Sequence, residues 1–136
     1  MKNVFLFLFL WVPLTGSLHA DEMSKPAQDT GLKPITIRGT LVDTSCYFSE
    51  GLTGNDHDGM TRCGTACLNS GVPAGVLEGD KVYILIFPSK AFANYVGQSV
   101  QIEGEAYGDN LIHPRKAVVI GKTGSKPIQL RGFEMM

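Results

Sequence analysis

Cationic excess is missing from this 136-residue sequence, in which 12 Lys and Arg stand against 13 Asp and Glu. A protein that grips a phosphate backbone needs a clustered basic face, so the charge balance gives no support to nucleic-acid binding, and none is expected. Cysteine is scarce: Cys46, Cys63 and Cys67 are the only three. No C-x2-C pair occurs among them, which removes a zinc ribbon and a thioredoxin-type redox pair. Cys67 is followed by Leu68, so the histidine of a haem-attachment motif is absent too. Long apolar runs are limited to one, and there is no internal repeat or low-complexity tract.

That single run opens the chain. Lys2 supplies a short positive start, Val4 to Leu14 is almost unbroken apolar sequence, and Pro13 and Gly16 break it. Ser17-Leu18-His19-Ala20 then offers small residues before Asp21. This order predicts a cleavable signal peptide over residues 1–20, and the run is too short to cross a bilayer as a helix. Leu18 occupies a position where a small residue is preferred, so cleavage after Ser17 is the alternative. No cysteine follows the run, which argues against a lipid anchor. The expected product is periplasmic or secreted, with no membrane span after signal removal. It keeps 11 basic against 13 acidic residues, a formal charge of −2, and is long enough for one domain and one core.

Residues 21–34, rich in Lys, Pro, Asp and Gln without an apolar period, read as a flexible leader. From Ile35 the pattern alternates, with Ile35, Ile37, Gly39 and Leu41 on one face of a half-buried strand. Residues 49–61 read as a polar loop, with Asp58 or Thr61 capping a short helix over 62–69 and Gly71 ending it. Val72–Leu77 and Lys81–Phe87 flank a Glu78-Gly79-Asp80 turn, and the second of these is apolar on both faces, as in a central strand. Ser89 caps a further helix to Val96, Val100–Gly104 alternates again, and Leu111–Ile120 makes a last strand interrupted by Pro114. Five short strands, glycines in the first and fourth, and interposed helices predict a mainly β fold. The expected form is a small five-stranded OB-like barrel with one or two short helices, spanning residues 35–121, with a loose tail over 122–136. An immunoglobulin-like sandwich wants more strands and no interposed helix.

The chemistry-bearing residues sit together. Cys46, His57, Cys63 and Cys67 form C-x10-H-x5-C-x3-C. On a helix over 62–69, Cys63 and Cys67 are one turn apart on one face. Thiolate and imidazole donors suit copper(I) or zinc, and Cys3His is a closed zinc arrangement. Two alternatives stand beside a metal site. One is a disulfide from Cys46 to Cys63 or Cys67 that staples the loop of a binding module; the other is thiol–disulfide redox use of Cys63 and Cys67. A Cys63–His57 nucleophile pair lacks an oxyanion donor and a third orienting group, so no enzyme activity is expected. His113 reads as a solvated strand-edge histidine, Met60 as a surface residue able to offer a thioether to copper, and Tyr47 and Phe48 as apolar cover for the barrel mouth. Asp56 and Asp58 flank His57 and could orient its ring.

A resemblance follows from these residues. Gly39-Thr40-Leu41-Val42-Asp43 through Cys46-Tyr47, then His57, Arg62-Cys63 and Cys67, then Gly71-Val72-Pro73-Ala74-Gly75-Val76-Leu77, resembles a group of small exported bacterial domains. These share a G-x-V-V-D-x-x-C-Y start, an H-x5-C-x3-C segment and a G-x-P-x-G-L turn into a strand. Leu41 replaces the first valine and Val76 the leucine, both apolar exchanges. The match covers roughly residues 35–120 and implies an OB-like fold, an exported location and four Cys and His residues acting as one unit. It implies no reaction. The expected partners are a metal ion, copper or zinc, and another exported protein.

Overall fold

The structure, a computed structural model, describes residues 32–57 and 59–131. The expected signal peptide, most of the leader, Asp58 and the last five residues lie outside the described residues. Six strands are present: β1 Lys33–Asp43, β2 Ala74–Glu78, β3 Lys81–Leu85, β4 Ser99–Tyr107, β5 Leu111–Gly121 and β6 Gly124–Pro127. Two helices, α1 Thr44–Glu50 and α2 Cys63–Asn69, lie between β1 and β2. Among the described residues no helix is long and apolar enough to cross a membrane.

The strands run in the order β3-β2-β1-β4-β5-β6, and an additional β3–β5 pairing closes the first five into a barrel. The closing pair is parallel, Ile84 opposite Leu111 and Leu85 opposite Ile112, whereas every other strand pair is antiparallel. Closure matters because an open sheet of this size would leave two rows of unpaired backbone groups. The fold is therefore mainly β, a small OB-like barrel with two short helices, as the alternation of apolar residues predicts.

β1 joins the two halves of the barrel wall. Its residues 33–40 pair with β4, and its residues 40–43 pair with β2. Gly39 lies where the strand passes from one partner to the other, and a Cβ there would run into the backbone carbonyl of Leu77. Only glycine lets the two backbones approach so closely. The pairing of β4 with β5 shifts register between Glu103 and Gly104, a bulge that adds the bend a small barrel needs. Ile37, Leu41, Val76, Val100, Ile102 and Ile112 fill the interior, with Phe92 and Leu68 packed against them from the segments between strands.

Four expectations change. Residues 44–50, of which 49 and 50 fall in the expected loop and the rest in no expected element, form a helix. The stretch expected as a helix from Ser89 to Val96 is two 3-10 turns, Ser89–Ala91 and Ala93–Tyr95, bent so that Phe92 between them enters the core. β3 pairs on both sides, with β2 and with β5, as a central strand does, but it ends at Leu85 and Ile86 is 42% exposed, so the apolar run Val82–Phe87 is not buried along its whole length. Finally, the described part of the tail packs on the barrel: β6 pairs with β5, and Ile128 donates its N–H to Ala117 O at 2.9 Å while its side chain joins the core.

Candidate metal centre

The site is built where β1 runs out. Asp43, its last residue, keeps extended backbone (φ −79, ψ 133) and caps α1: its Oδ1 accepts the N–H of Cys46 at 2.9 Å. An aspartate at this position satisfies one of the orphan donors of the first turn, and the cap fixes where Cys46 stands. Thr44 anchors the same turn, donating its N–H (3.2 Å) and its Oγ1 (2.9 Å) to Pro73 O just before β2. Gly51, left-handed, ends the helix.

The remaining sulfurs come from α2. Asn55 and Asp56 hold its start: Asp56 Oδ1 accepts the Arg62 N–H at 2.6 Å, and Asn55 Oδ1 accepts the Thr65 N–H at 2.8 Å. Gly64 N–H reaches Asn55 O at 3.1 Å, and a Cβ on Gly64 would collide with Val96. This small residue thus brings the helix down onto the barrel, where Leu68 is fully buried. Cys63 and Cys67, four apart, face the same way, toward Cys46.

The three thiol sulfurs lie within 4.8 Å of one another, a cluster able to hold a metal ion. His57 belongs to a second group: its ring nitrogen, Cys46 Sγ and a carboxylate oxygen of Asp43 also lie within 4.8 Å of one another. Cys46 is common to both. A tight hairpin of reciprocal backbone bonds, His57 N–H to Met60 O (3.2 Å) and Met60 N–H to His57 O (2.9 Å), sets the position of His57. Its side chain is 6% exposed, and Nε2 stands 4.0 Å from Asp43 Oδ2.

All three cysteines are free thiols, so the disulfide staple between Cys46 and Cys63 or Cys67 is not formed. Burial pushes the Cys46 thiol up to about 12, aided by the hydrogen bond and the charge of Asp43 and then by Cys67. Cys67 is raised by burial and by the charge of Asp43; a hydrogen bond with Cys46 acts against this, while Cys63 adds to it. Proton-holding thiols of this kind are poor nucleophiles, because a reactive cysteine needs an electropositive setting that favours thiolate. A bound cation would supply that missing positive charge itself.

Comparison of the chain with protein-family models, with curated proteins and with solved structures finds no match. The assignment of this centre rests on its geometry.

Several residues take other places than expected. Asp56 holds the start of α2 at the Arg62 N–H, and among the described residues it is Asp43 that places a carboxylate oxygen beside the His57 ring; Asp58 lies outside the described residues. Phe48 is 62% exposed, so it does not cover the barrel mouth, although its ring packs edge-on against Tyr47. Met60, 54% exposed, is the surface residue expected, and His113 lies on β5 opposite Glu105; neither belongs to a ligand group. Asp43 is the residue that sequence reasoning missed. The D-x-x-C spacing carried the signal, since an N-cap aspartate reaches the N–H three residues on and so stands beside the side chain there.

Proposed function

We propose that this domain is an exported metal-binding module that holds a soft cation, copper(I) or zinc, on Cys46, Cys63 and Cys67, with His57 at the margin of the same centre. The observation that carries the reading is the convergence of three sulfurs from two separate helices within 4.8 Å. A barrel that only needed stapling would pair two cysteines and have no use for a third. Soft thiolate donors select copper(I) and zinc over oxygen-seeking cations. Copper(I) accepts three thiolates as a complete set, whereas zinc favours a fourth ligand, which His57 or Asp43 could provide. The role that fits is metal carriage between exported proteins, or a structural ion.

The test is titration of the reduced full chain with copper(I) and with zinc under exclusion of oxygen. Cys46→Ser, Cys63→Ser and Cys67→Ser should each weaken binding by about tenfold or more. Wild-type affinity in all three variants, or no uptake of either ion, would end the metal reading. Export is tested separately: protein recovered from outside the cytoplasm should begin near Asp21.

A further inference from the structure

We infer that Asp43, Cys46 and His57 form a second cation position beside the three-thiol one, with the Cys46 sulfur shared between the two. The inference rests on the reading of Cys46, Cys63 and Cys67 as metal ligands. Two ligand groups meet at one atom: Cys46 Sγ lies within 4.8 Å of Cys63 and Cys67 Sγ, and also within 4.8 Å of a carboxylate oxygen of Asp43 and a ring nitrogen of His57. A thiolate sulfur has lone pairs enough to bridge two cations.

Asp43 supplies the independent observation. It is 1% exposed, and while Oδ1 is occupied by the Cys46 N–H, Oδ2 has no hydrogen-bond partner among the described residues. Burying a carboxylate oxygen without a partner is costly, and buried charges are ordinarily paired or bound to metal. This oxygen is aimed toward the His57 ring, 4.0 Å away, a gap too long for a hydrogen bond. One oxygen, one nitrogen and one shared sulfur make a borderline donor set, which fits zinc better than copper(I).

Charge points the same way. Three thiolates and one carboxylate carry four negative charges in a half-buried pocket. One divalent ion would offset half of them; two divalent ions offset all four. Neutrality matters here, because negative charge left unpaired in a half-buried cluster is costly, and a second cation removes that cost. The second position also accounts for His57, which the three-thiol group alone leaves outside.

The experiment is zinc titration of the reduced full chain, read by native mass spectrometry and by competition with a chelator. Wild type should take up two zinc ions. Asp43→Asn keeps an oxygen to cap α1 and removes the anionic ligand, and His57→Gln removes the ring; each should lower the stoichiometry to one tightly held zinc and weaken the second by about tenfold or more. The double variant Cys63→Ser, Cys67→Ser should retain one zinc that Asp43→Asn then removes. A single zinc in wild type, dependent on Cys63 and Cys67, would overturn the second position and leave the first intact, and sensitivity of that one ion to Asp43→Asn or His57→Gln would mark a fourth ligand of the same centre. No zinc and no copper(I) in wild type would overturn the metal reading itself.

Discussion

Asp43 holds a helix start and a charge at once, and two substitutions separate these roles. Asp43→Ser and Asp43→Ala both remove the buried carboxylate, but serine can still accept the Cys46 N–H that now lies 2.9 Å from Oδ1. Serine against alanine therefore isolates the cap. Its loss should cost about 1 kcal/mol. In a domain this small that corresponds to a fall in melting temperature of about 4–8 °C. Relief of the unpaired Oδ2 acts in the opposite sense, but equally in both variants, and so cancels in the comparison. The thiol should respond differently. Burial is the largest cause of the high Cys46 value and persists in both variants, whereas the hydrogen bond and charge of Asp43 vanish. The Cys46 value should then fall from about 12 while staying above the ordinary 9.0, by the same amount in each. Urea denaturation of reduced, metal-free protein measures the first effect. The pH dependence of alkylation, in a Cys63→Ser, Cys67→Ser background, measures the second. Equal stability of the serine and alanine variants would refute the capping argument, and an unmoved Cys46 titration would refute the role given to the carboxylate.

Four further outcomes follow from the same geometry. Folding raises the values of Cys46 and Cys67, so the stability they contribute is intact below the unfolded value of 9.0 and is lost as pH rises through the folded one, about 12 for Cys46. Metal-free wild type should therefore lose urea resistance above pH 9.0 more steeply than Cys46→Ala does. Metal binding runs oppositely, because the ligands must shed protons that burial makes them hold; zinc or copper(I) affinity should drop steadily as pH is lowered, releasing protons on loading in a buffer-dependent calorimetric signal. In the core, Phe92→Ala should cost about 3–5 kcal/mol, since that ring is fully buried and edge-on to Phe87. Ile86→Ala, past the end of β3, should stay within about 0.5 kcal/mol in the same denaturation assay.

The barrel was legible because its strands alternate and its glycines fall where backbones crowd, as at Gly39. The three sulfurs were legible as a unit because Cys63 and Cys67 fall at helical spacing and Cys46 lies just past a strand. What escaped were features decided by contacts rather than by period. Residues 44–50 read as neither helix nor strand, being short and mixed; they wind up because Asp43 caps them and Thr44 is tied to Pro73. The Phe92 segment looks like one helix until the core pulls that ring inward and splits it into two tighter turns. β6 has no apolar face of its own and exists because β5 offers it a ladder. Asp43 looked like part of a strand-end motif, and only its burial and its distance from His57 reveal its place in the site.

The pairing of Asp43 with Ala74 has a consequence for motion. Everything from residue 44 to residue 73, including all three thiols and the imidazole, leaves the sheet and returns to it at one rung. Such an excursion is able to open as a unit while the strands around it stay paired, because no ladder hydrogen bond has to break. What latches it to the barrel is the Cys46 N–H on Asp43 Oδ1 at 2.9 Å, Arg62 Nη2 on Asn94 Oδ1 at 3.1 Å, the Thr65 hydroxyl on Ala93 O at 2.8 Å, the Ser89 hydroxyl on Leu68 O at 2.9 Å, and the Leu68 side chain plugged into the barrel. Amide hydrogens of this segment should exchange faster than those of β1 and β4 in the empty protein. An ion clasped between its two helices would tie the excursion to itself, slowing exchange there and leaving the barrel's own rates unchanged.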